Sequence, residues 1–424
     1  MINFLNKILN FSKKNYKDNF AFKEIEKKTK VNKIFNAINE FSDQSEIRYV
    51  GGCIRKILQN EIVDDIDLST NLTPKDVCKA LNKKNIKFYE TGIEHGTITA
   101  LIDKTSFEIT SLRKDVSTDG RHAKVAFTND WLEDASRRDF TINSIYADMN
   151  GNFFDPFNGK MDLENGNVKF IGNPDKRLKE DYLRILRYIR FYINYSKTEH
   201  DQATKKSIRQ NISGVSLISR ERLLQELKKL ILSKNFIKIE KDEFLKEILL
   251  LIFPQLKNLN KINNLNEFSK KIFCNKDFVF LISFMIIDGT DNTDYFLYKY
   301  NLSNEEKEKI NFLKNMSSKD EEKNFYSEKN LWKIFYKYNK NYLIDLIDFK
   351  IFKSSKVDKK LLNLKNFFLD KSKPLFPIKA KDLMNKYNYK EGVELGKKLK
   401  ELENFWLNNN FNLSKEDIDK LVKN

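Results

Sequence analysis

A chain of 424 residues with 40% apolar content has the material for two to four domains and a sizeable core. Its 77 Lys and Arg against 60 Asp and Glu give a formal charge of +17, which suits a polyanion such as nucleic acid, although a genome-wide lysine bias would produce the same excess. Cys53, Cys78 and Cys274 lie far apart, which argues against a disulfide framework or a structural zinc site and fits a reducing cytoplasm. The longest apolar stretch, Phe278 to Ile287, falls well short of the ~20 residues of a membrane span, and Met1 to Phe11 lack a signal peptide's apolar region and cleavage site. The expected location is the cytoplasm, with no membrane association.

From Arg48 to about Asn150, period-2 alternation predicts strands over Arg48-Tyr49-Val50, Ile66 to Thr70, Thr97 to Ile102 and Phe107 to Leu112. Gly51-Gly52 follows the first strand and opens a helix; paired glycines there let backbone N–H groups approach a phosphate, and Arg55 adds a cation, with a plain turn as the alternative. Pro74 to Leu81 reads as a helix with Thr73 as its N-cap and Pro74 at its first position. Beyond about Asn173 the pattern is helical almost throughout, including Lys179 to Asn194 and Arg220 to Leu232, with Ser219 capping the latter and Arg222 on its surface.

In Asp65-Ile66-Asp67-Leu68 the two carboxylates face one side of a strand, with Ile66 and Leu68 facing the core and Asp64 turned away. Adjacent carboxylates are costly without a cation between them, and Mg²⁺ shared with substrate phosphates is the usual solution; a solvated acidic turn is the alternative. Glu108, on the polar face of a later strand, would complete a three-carboxylate cage for two ions. Arg137-Arg138-Asp139-Phe140-Thr141-Ile142-Asn143 places two fork-shaped cations beside an Asp and an Asn, and Arg suits triphosphate oxygens; a surface basic pair is the alternative. Asp181 and Arg184, three apart on a predicted helix, share a face. A carboxylate accepts from an exocyclic amino group and a guanidinium donates to ring acceptors, so one such pair admits C and A and rejects U and G; an intrahelical salt bridge is the alternative.

In order, Gly51-Gly52-x-Ile54-Arg55, Asp65-x-Asp67, Glu108, Arg137-Arg138-Asp139 to Asn143, Asp155-Pro156-Phe157-Asn158-Gly159-x-x-Asp162-Leu163 and Glu180-Asp181-x-x-Arg184-Ile185-Leu186-Arg187 resemble the class II tRNA nucleotidyltransferase and bacterial poly(A) polymerase family of the polymerase-β superfamily. Phe376 to Trp406 is similar to the tail of its alphaproteobacterial-type members. The resemblance implies an α+β protein: a head with a mixed five-stranded sheet, then an all-helical neck, body and tail. The expected division is an N-terminal extension over 1–28, the catalytic head over 29–150, a base-reading neck over 151–236, and a body and tail over 237–424 that contact the tRNA elbow through phosphate and shape. It implies addition of CCA to the tRNA 3′ end from CTP and ATP, with poly(A) synthesis, partial addition of CC or A, or non-catalytic tRNA binding as rivals, and no stable protein partner.

By the same resemblance Asp65 and Asp67 hold two Mg²⁺ ions and Glu108 serves the 3′-hydroxyl. Gly51, Gly52, Arg55, Arg113, Arg137, Arg138, Asp139, Asn143 and Arg187 bind the nucleotide, and Asp181 and Arg184 read its base. Lys114 to Phe127, with Asp119-Gly120-Arg121, resembles the flexible loop of CCA-adding members. Lys56 stands where the family has Asp, so Arg55 needs another partner, and Asn60 replaces a turn Gly. His200 reads as a surface residue and His95 as a loop residue before a strand.

Overall fold

The computed structural model describes residues 20–63, 65–118 and 123–423. Asp64, Asp119, Gly120 and Arg121, and the first nineteen residues of the expected extension, lie outside them. The chain divides into two compact units, residues 1–239 with 247–252, and residues 240–246 with 253–424.

The first unit carries a seven-stranded mixed sheet. Its strands are β1 (Ile47–Val50), β2 (Asp67–Thr70), β3 (Lys87–Gly92), β4 (Thr97–Ile102), β5 (Thr105–Ser111), β8 (Tyr146–Ala147) and β9 (Phe153–Phe154), in the order β3-β4-β5-β2-β1-β8-β9. Only β2 and β5 run parallel. The count exceeds the expected five because β8 and β9 are two residues each, too short to carry an alternation. Strands β6 (Arg113–Thr118) and β7 (Ala123–Phe127) pair with each other from Arg113↔Phe127 onward, so the segment expected as a flexible loop is a hairpin over its described part.

Leu68 in β2, Ile98 and Ala100 in β4, and Phe107 and Ile109 in β5 are buried at alternate positions, which is why these segments form strands against a helical layer. Thr73 accepts the Asp76 N–H at the start of Pro74–Lys83, as its cap position predicts. Asn60 takes φ +55°, the left-handed conformation that Asn shares with the glycine it replaces.

Helices that frame the site are α1 (Gly52–Leu58), α2 (Trp131–Ser136), α3 (Pro174–Glu180), α4 (Arg184–Tyr195) and α5 (Arg220–Ile231). The Asp155-to-Leu163 motif is a fastening. Asp155 accepts the N–H groups of Gly159 (2.7 Å) and Lys160 (2.8 Å), and buried Asp162 accepts from the Thr141 hydroxyl (2.9 Å). His200 is half-buried rather than on the surface: it stacks on Tyr192 at 3.7 Å, and Tyr188 shares a 2.8 Å hydrogen bond with Nδ1. The second unit is helical throughout its regular elements. No helix among the described residues is long and apolar enough to cross a membrane.

A Cβ added at Gly159 would lie 2.1 Å from the Thr141 carbonyl oxygen. Backbone cannot yield there as a flexible side chain would. Gly159→Ala is expected to lower stability by about 3 kcal/mol, read as a shifted denaturation midpoint with an unchanged slope.

Candidate active site

Strand β1 ends at Val50, and the chain turns at Gly51, whose φ of +70° is accessible to glycine at little cost, into α1. A Cβ on Gly51 or Gly52 would lie 3.7 Å from Asp67 Oδ2, so the glycine turn and the head of β2 are in contact. Strand β2 begins only at Asp67, so Asp65 and Ile66 precede it rather than alternate within it; Ile66 and Leu68 are nevertheless buried, and Asp65 and Asp67 line the same cavity. The parallel register sets Glu108 of β5 directly opposite Asp67. Burial, then the charges of Asp65 and Glu108, push the Asp67 carboxyl up to about 6, against the opposing pull of Arg138 and Arg55.

That shift bears on the expected cation. Among the described residues no three ligand-type side chains form a finished cage, and Glu108 is exposed and does not line the cavity. Two of the three expected carboxylates thus line the cavity, while Glu108 stands opposite Asp67 in the sheet on the exposed side. Asp65 and Asp67 remain a fit for divalent cations: a bound ion would remove the penalty that now raises Asp67.

Facing the carboxylates is a cationic wall held from below. Asp134, 1% exposed, accepts from Arg137 Nε (2.9 Å) and Nη2 (2.6 Å), from Arg138 Nη2 (3.0 Å) and from the Tyr146 hydroxyl (2.6 Å). Burial alone would raise this carboxyl; Arg138 and Arg137 override it and hold it far below the usual carboxylate range. Asp139 does the same for the neighbouring layer. It accepts Arg187 Nε (2.6 Å) and Asn143 Nδ2 (2.7 Å), and Arg187 overrides burial to hold it ionised. Asn143 in turn accepts from Arg55, supplying the partner that Lys56 cannot, and the Arg55 guanidinium sits 4.9 Å from the Phe191 ring.

The expected continuous helix through Asp181 and Arg184 is broken. Helix α3 ends at Glu180, Asp181 is extended (φ −155°, ψ 106°), and α4 begins at Arg184. Asp181 Oδ1 accepts the Leu183 N–H (3.1 Å), an Asx turn that competes with helix propagation. The two residues therefore neither share a helical face nor pair. Arg184 bonds Glu180 (2.5 Å) and the carbonyls of Arg177 (2.9 Å) and Arg137 (3.0 Å), whereas Asp181 Oδ2 accepts Arg222 of α5 (2.7 Å). Both still line the cavity.

The cavity, of about 730 Å³, gathers Gly51, Gly52, Arg55, Asp65, Asp67, Arg113, Arg137, Arg138, Asp139, Asn143, Asp181, Arg184 and Arg187. His95 ends a short 3₁₀ turn, exposed and outside its lining. Sequence reasoning missed Lys56, Arg190, Arg222 and Lys229 in the lining and Asp134 beneath it. The spacing Asp134-x-x-Arg137-Arg138 and the three-residue repeat Arg184, Arg187, Arg190 were the available signals. Arg222 was expected on the surface of its helix, and no local pattern records that it reaches Asp181 across 41 residues.

Residues 47–169 match the family described as Poly A polymerase head domain, and 200–259 the one described as "Probable RNA and SrmB- binding site of polymerase A". The CCA-adding enzyme of Staphylococcus haemolyticus is 33% identical over 306 residues, covering 71% of this chain and 72% of that protein. The chain belongs to the CCA-adding enzyme and poly(A) polymerase family. Over 196 residues it is 45% identical to the human mitochondrial CCA tRNA nucleotidyltransferase 1, a match covering 46% of this chain and 45% of the relative. The chain thus spans about half the length of the first relatives it matches. The fold is that of the Bacillus stearothermophilus CCA-adding enzyme solved with CTP (TM-score 0.65, 20% identity, 92% of this chain and 95% of that one) and of the Thermotoga maritima enzyme solved with tRNA (0.61, 18%, 93% and 95%).

A carboxyl raised by its fold destabilises the native state once pH exceeds its unfolded value, and the loss is complete above its folded value. In metal-free protein, Asp67→Asn should therefore stabilise by about 2 kcal/mol at pH 7.5 and by nothing measurable near pH 4. Added Mg²⁺ should raise the melting temperature of the parent protein more than that of the variant. Equal melting temperatures at pH 7.5 would refute the crowding of Asp65, Asp67 and Glu108.

Proposed function

We propose that the protein adds C, C and A to the 3′ end of tRNA, using CTP and ATP as substrates. The observation that carries this reading is the single cavity in which the Asp65/Asp67 edge, the Arg137/Arg138 wall and the Asp181/Arg184 break meet. Its family membership supports the same reading, as do the printed activities of its relatives.

The nucleotide's triphosphate lies against Arg137, Arg138 and the Gly51-Gly52 backbone, where guanidinium forks and open N–H groups match phosphate oxygens. Asp139 and Asn143 sit beside the ribose, with Arg187 fixing Asp139. The RNA 3′-hydroxyl attacks the α-phosphate from the Asp65/Asp67 side, with pyrophosphate leaving toward the arginines. Mg²⁺ held by Asp65 and Asp67 would supply charge neutralisation at the attacking and leaving oxygens. Glu108, opposite Asp67 in the sheet, acts from the rim on the incoming RNA end.

Base choice falls to Asp181 and Arg184. With no helical face in common, they are held by separate supports, Asp181 by Arg222 and the Leu183 N–H, Arg184 by Glu180 and two carbonyls. Fixed supports suit a template-free reader, since neither group is free to swing toward the pattern of U or G. In the proposed division of the chain, residues 29–150 do the chemistry, 151–236 read the base and 237–424 hold the tRNA.

The test is extension of a tRNA lacking its 3′ CCA, with CTP, ATP or both. Three nucleotides ending in A are expected; a long A tract would assign poly(A) synthesis instead. Asp67→Ala should reduce incorporation by about 10³-fold or more while tRNA affinity stays unchanged. Arg184→Ala should lower discrimination against UTP by roughly 10- to 200-fold. Retained discrimination would remove Arg184 from base reading.

A further inference from the structure

Arg177 sits in the last turn of α3, behind the Asp181/Arg184 break, and neither it nor Glu180 lines the cavity. Each of its nitrogens has a partner. Nε donates to the Ile171 carbonyl (2.8 Å), Nη1 to Glu180 Oε2 (2.7 Å) and Nη2 to the Ser136 carbonyl. The same Glu180 oxygen accepts Arg184 Nη1 (2.5 Å), which also reaches the Arg177 carbonyl (2.9 Å). Arg184 Nη2 donates to the Arg137 carbonyl (3.0 Å).

These bonds converge on one short stretch of the head. Ser136 ends α2 and Arg137 caps it, so the two guanidiniums take consecutive carbonyls at a helix C-terminus, where acceptors lack intrahelical donors and cations are favoured. The third support leads to the same stretch, because the Ile171 N–H donates to the Asp139 carbonyl (3.0 Å). The side chain of Arg137 is fixed by Asp134 and forms part of the cationic wall. Arg184 is therefore indexed to that wall through the backbone of one of its own members. Glu180 is the movable part of this frame. Its side chain is 28% exposed, so without Arg177 its carboxylate has water as an alternative partner and Arg184 loses a fixed one.

We propose that Arg177 is a positioning residue for base choice. It locks Glu180, and through Glu180 it holds Arg184 at a set offset from the Arg137 wall. Held so, Arg184 donates to the ring-nitrogen acceptor of cytosine or adenine and does not turn toward uracil, which carries an N–H at that position. A guanidinium suits this task because its donors point in fixed, coplanar directions toward separate partners, whereas an ammonium is a single point. The inference rests on the base-reading role proposed for Arg184 and adds a residue outside the cavity that sets its aim.

The test is single-nucleotide incorporation by the full chain on tRNA lacking its 3′ CCA, with kcat/KM measured separately for CTP and UTP. Arg177→Gln should lower the CTP-to-UTP ratio by roughly 10-fold or more. Arg177→Lys should fall between it and the parent, since lysine keeps the charge but cannot span the partners. Arg177→Gln/Glu180→Gln should lower the ratio no further than the worse single variant, because the two residues act as one unit. A purely structural role would reduce kcat/KM for both nucleotides by one factor and shift the denaturation midpoint. An unchanged ratio in either Arg177 variant overturns the proposal, as does full additivity in the double variant. Arg184→Ala is the reference. If it keeps the parent's preference for CTP, the base-reading role fails and Arg177 with it; if it loses that preference while the Arg177 variants keep it, only the positioning role fails.

Discussion

Two buried carboxylates, Asp134 and Asp139, make the cationic cavity possible. Ten Lys and Arg side chains line it against four Asp. So many cations converge only if some are neutralised from beneath, and each buried carboxylate does this for guanidiniums that line the cavity. Burial raises a carboxyl, so both would be protonated in an apolar setting; the arginines reverse the sign. The dependence is mutual. Removing either partner of such a pair leaves a charge stranded in the protein, a loss of about 3–5 kcal/mol. The arrangement is therefore built without a ligand, and under the proposed function its fixed donors would need no reorganisation as phosphate charge develops.

The opposite edge is built on the contrary principle. Asp67 is crowded by burial, by Asp65 and by Glu108, and only partly relieved by Arg138 and Arg55. The β2–β5 register brings that crowding about, because it sets Glu108 opposite Asp67. The wall is neutralised, while the edge carries a crowding of negative charge that a bound cation would relieve. Under the proposed function, the polarity of the cavity would give a direction to a nucleotide lying across it, with triphosphate toward the arginines and the reacting phosphate toward the carboxylates.

In the second unit, Asp348 and Asp345 neutralise Lys276, Lys309 and Lys365 at short range, as a structural network does.

The sequence by itself determined what depends on local spacing. The pattern of apolar and acidic residues marked Ile66 and Leu68 as buried and Asp65 and Asp67 as cavity-facing, although the strand itself starts only at Asp67; Thr73, Ser219 and Asn60 took the cap and turn conformations their side chains favour. The ordered motifs named the family because each is contiguous. Only the tertiary structure decided which partner each charge meets. Periodicity carried a helix through Asp181, but the Asx turn at that residue ended it, and Arg222, 41 residues away, took the carboxylate that the alternative intrahelical salt bridge would have paired with Arg184. Arg55 found Asn143 across 88 residues, and Glu108 was left on an exposed rim. Backbone periodicity is a property of neighbours and can be read in the chain. The pairing of a buried charge is settled by which distant carboxylate or amide the packing brings within hydrogen-bond reach, and no local pattern records that.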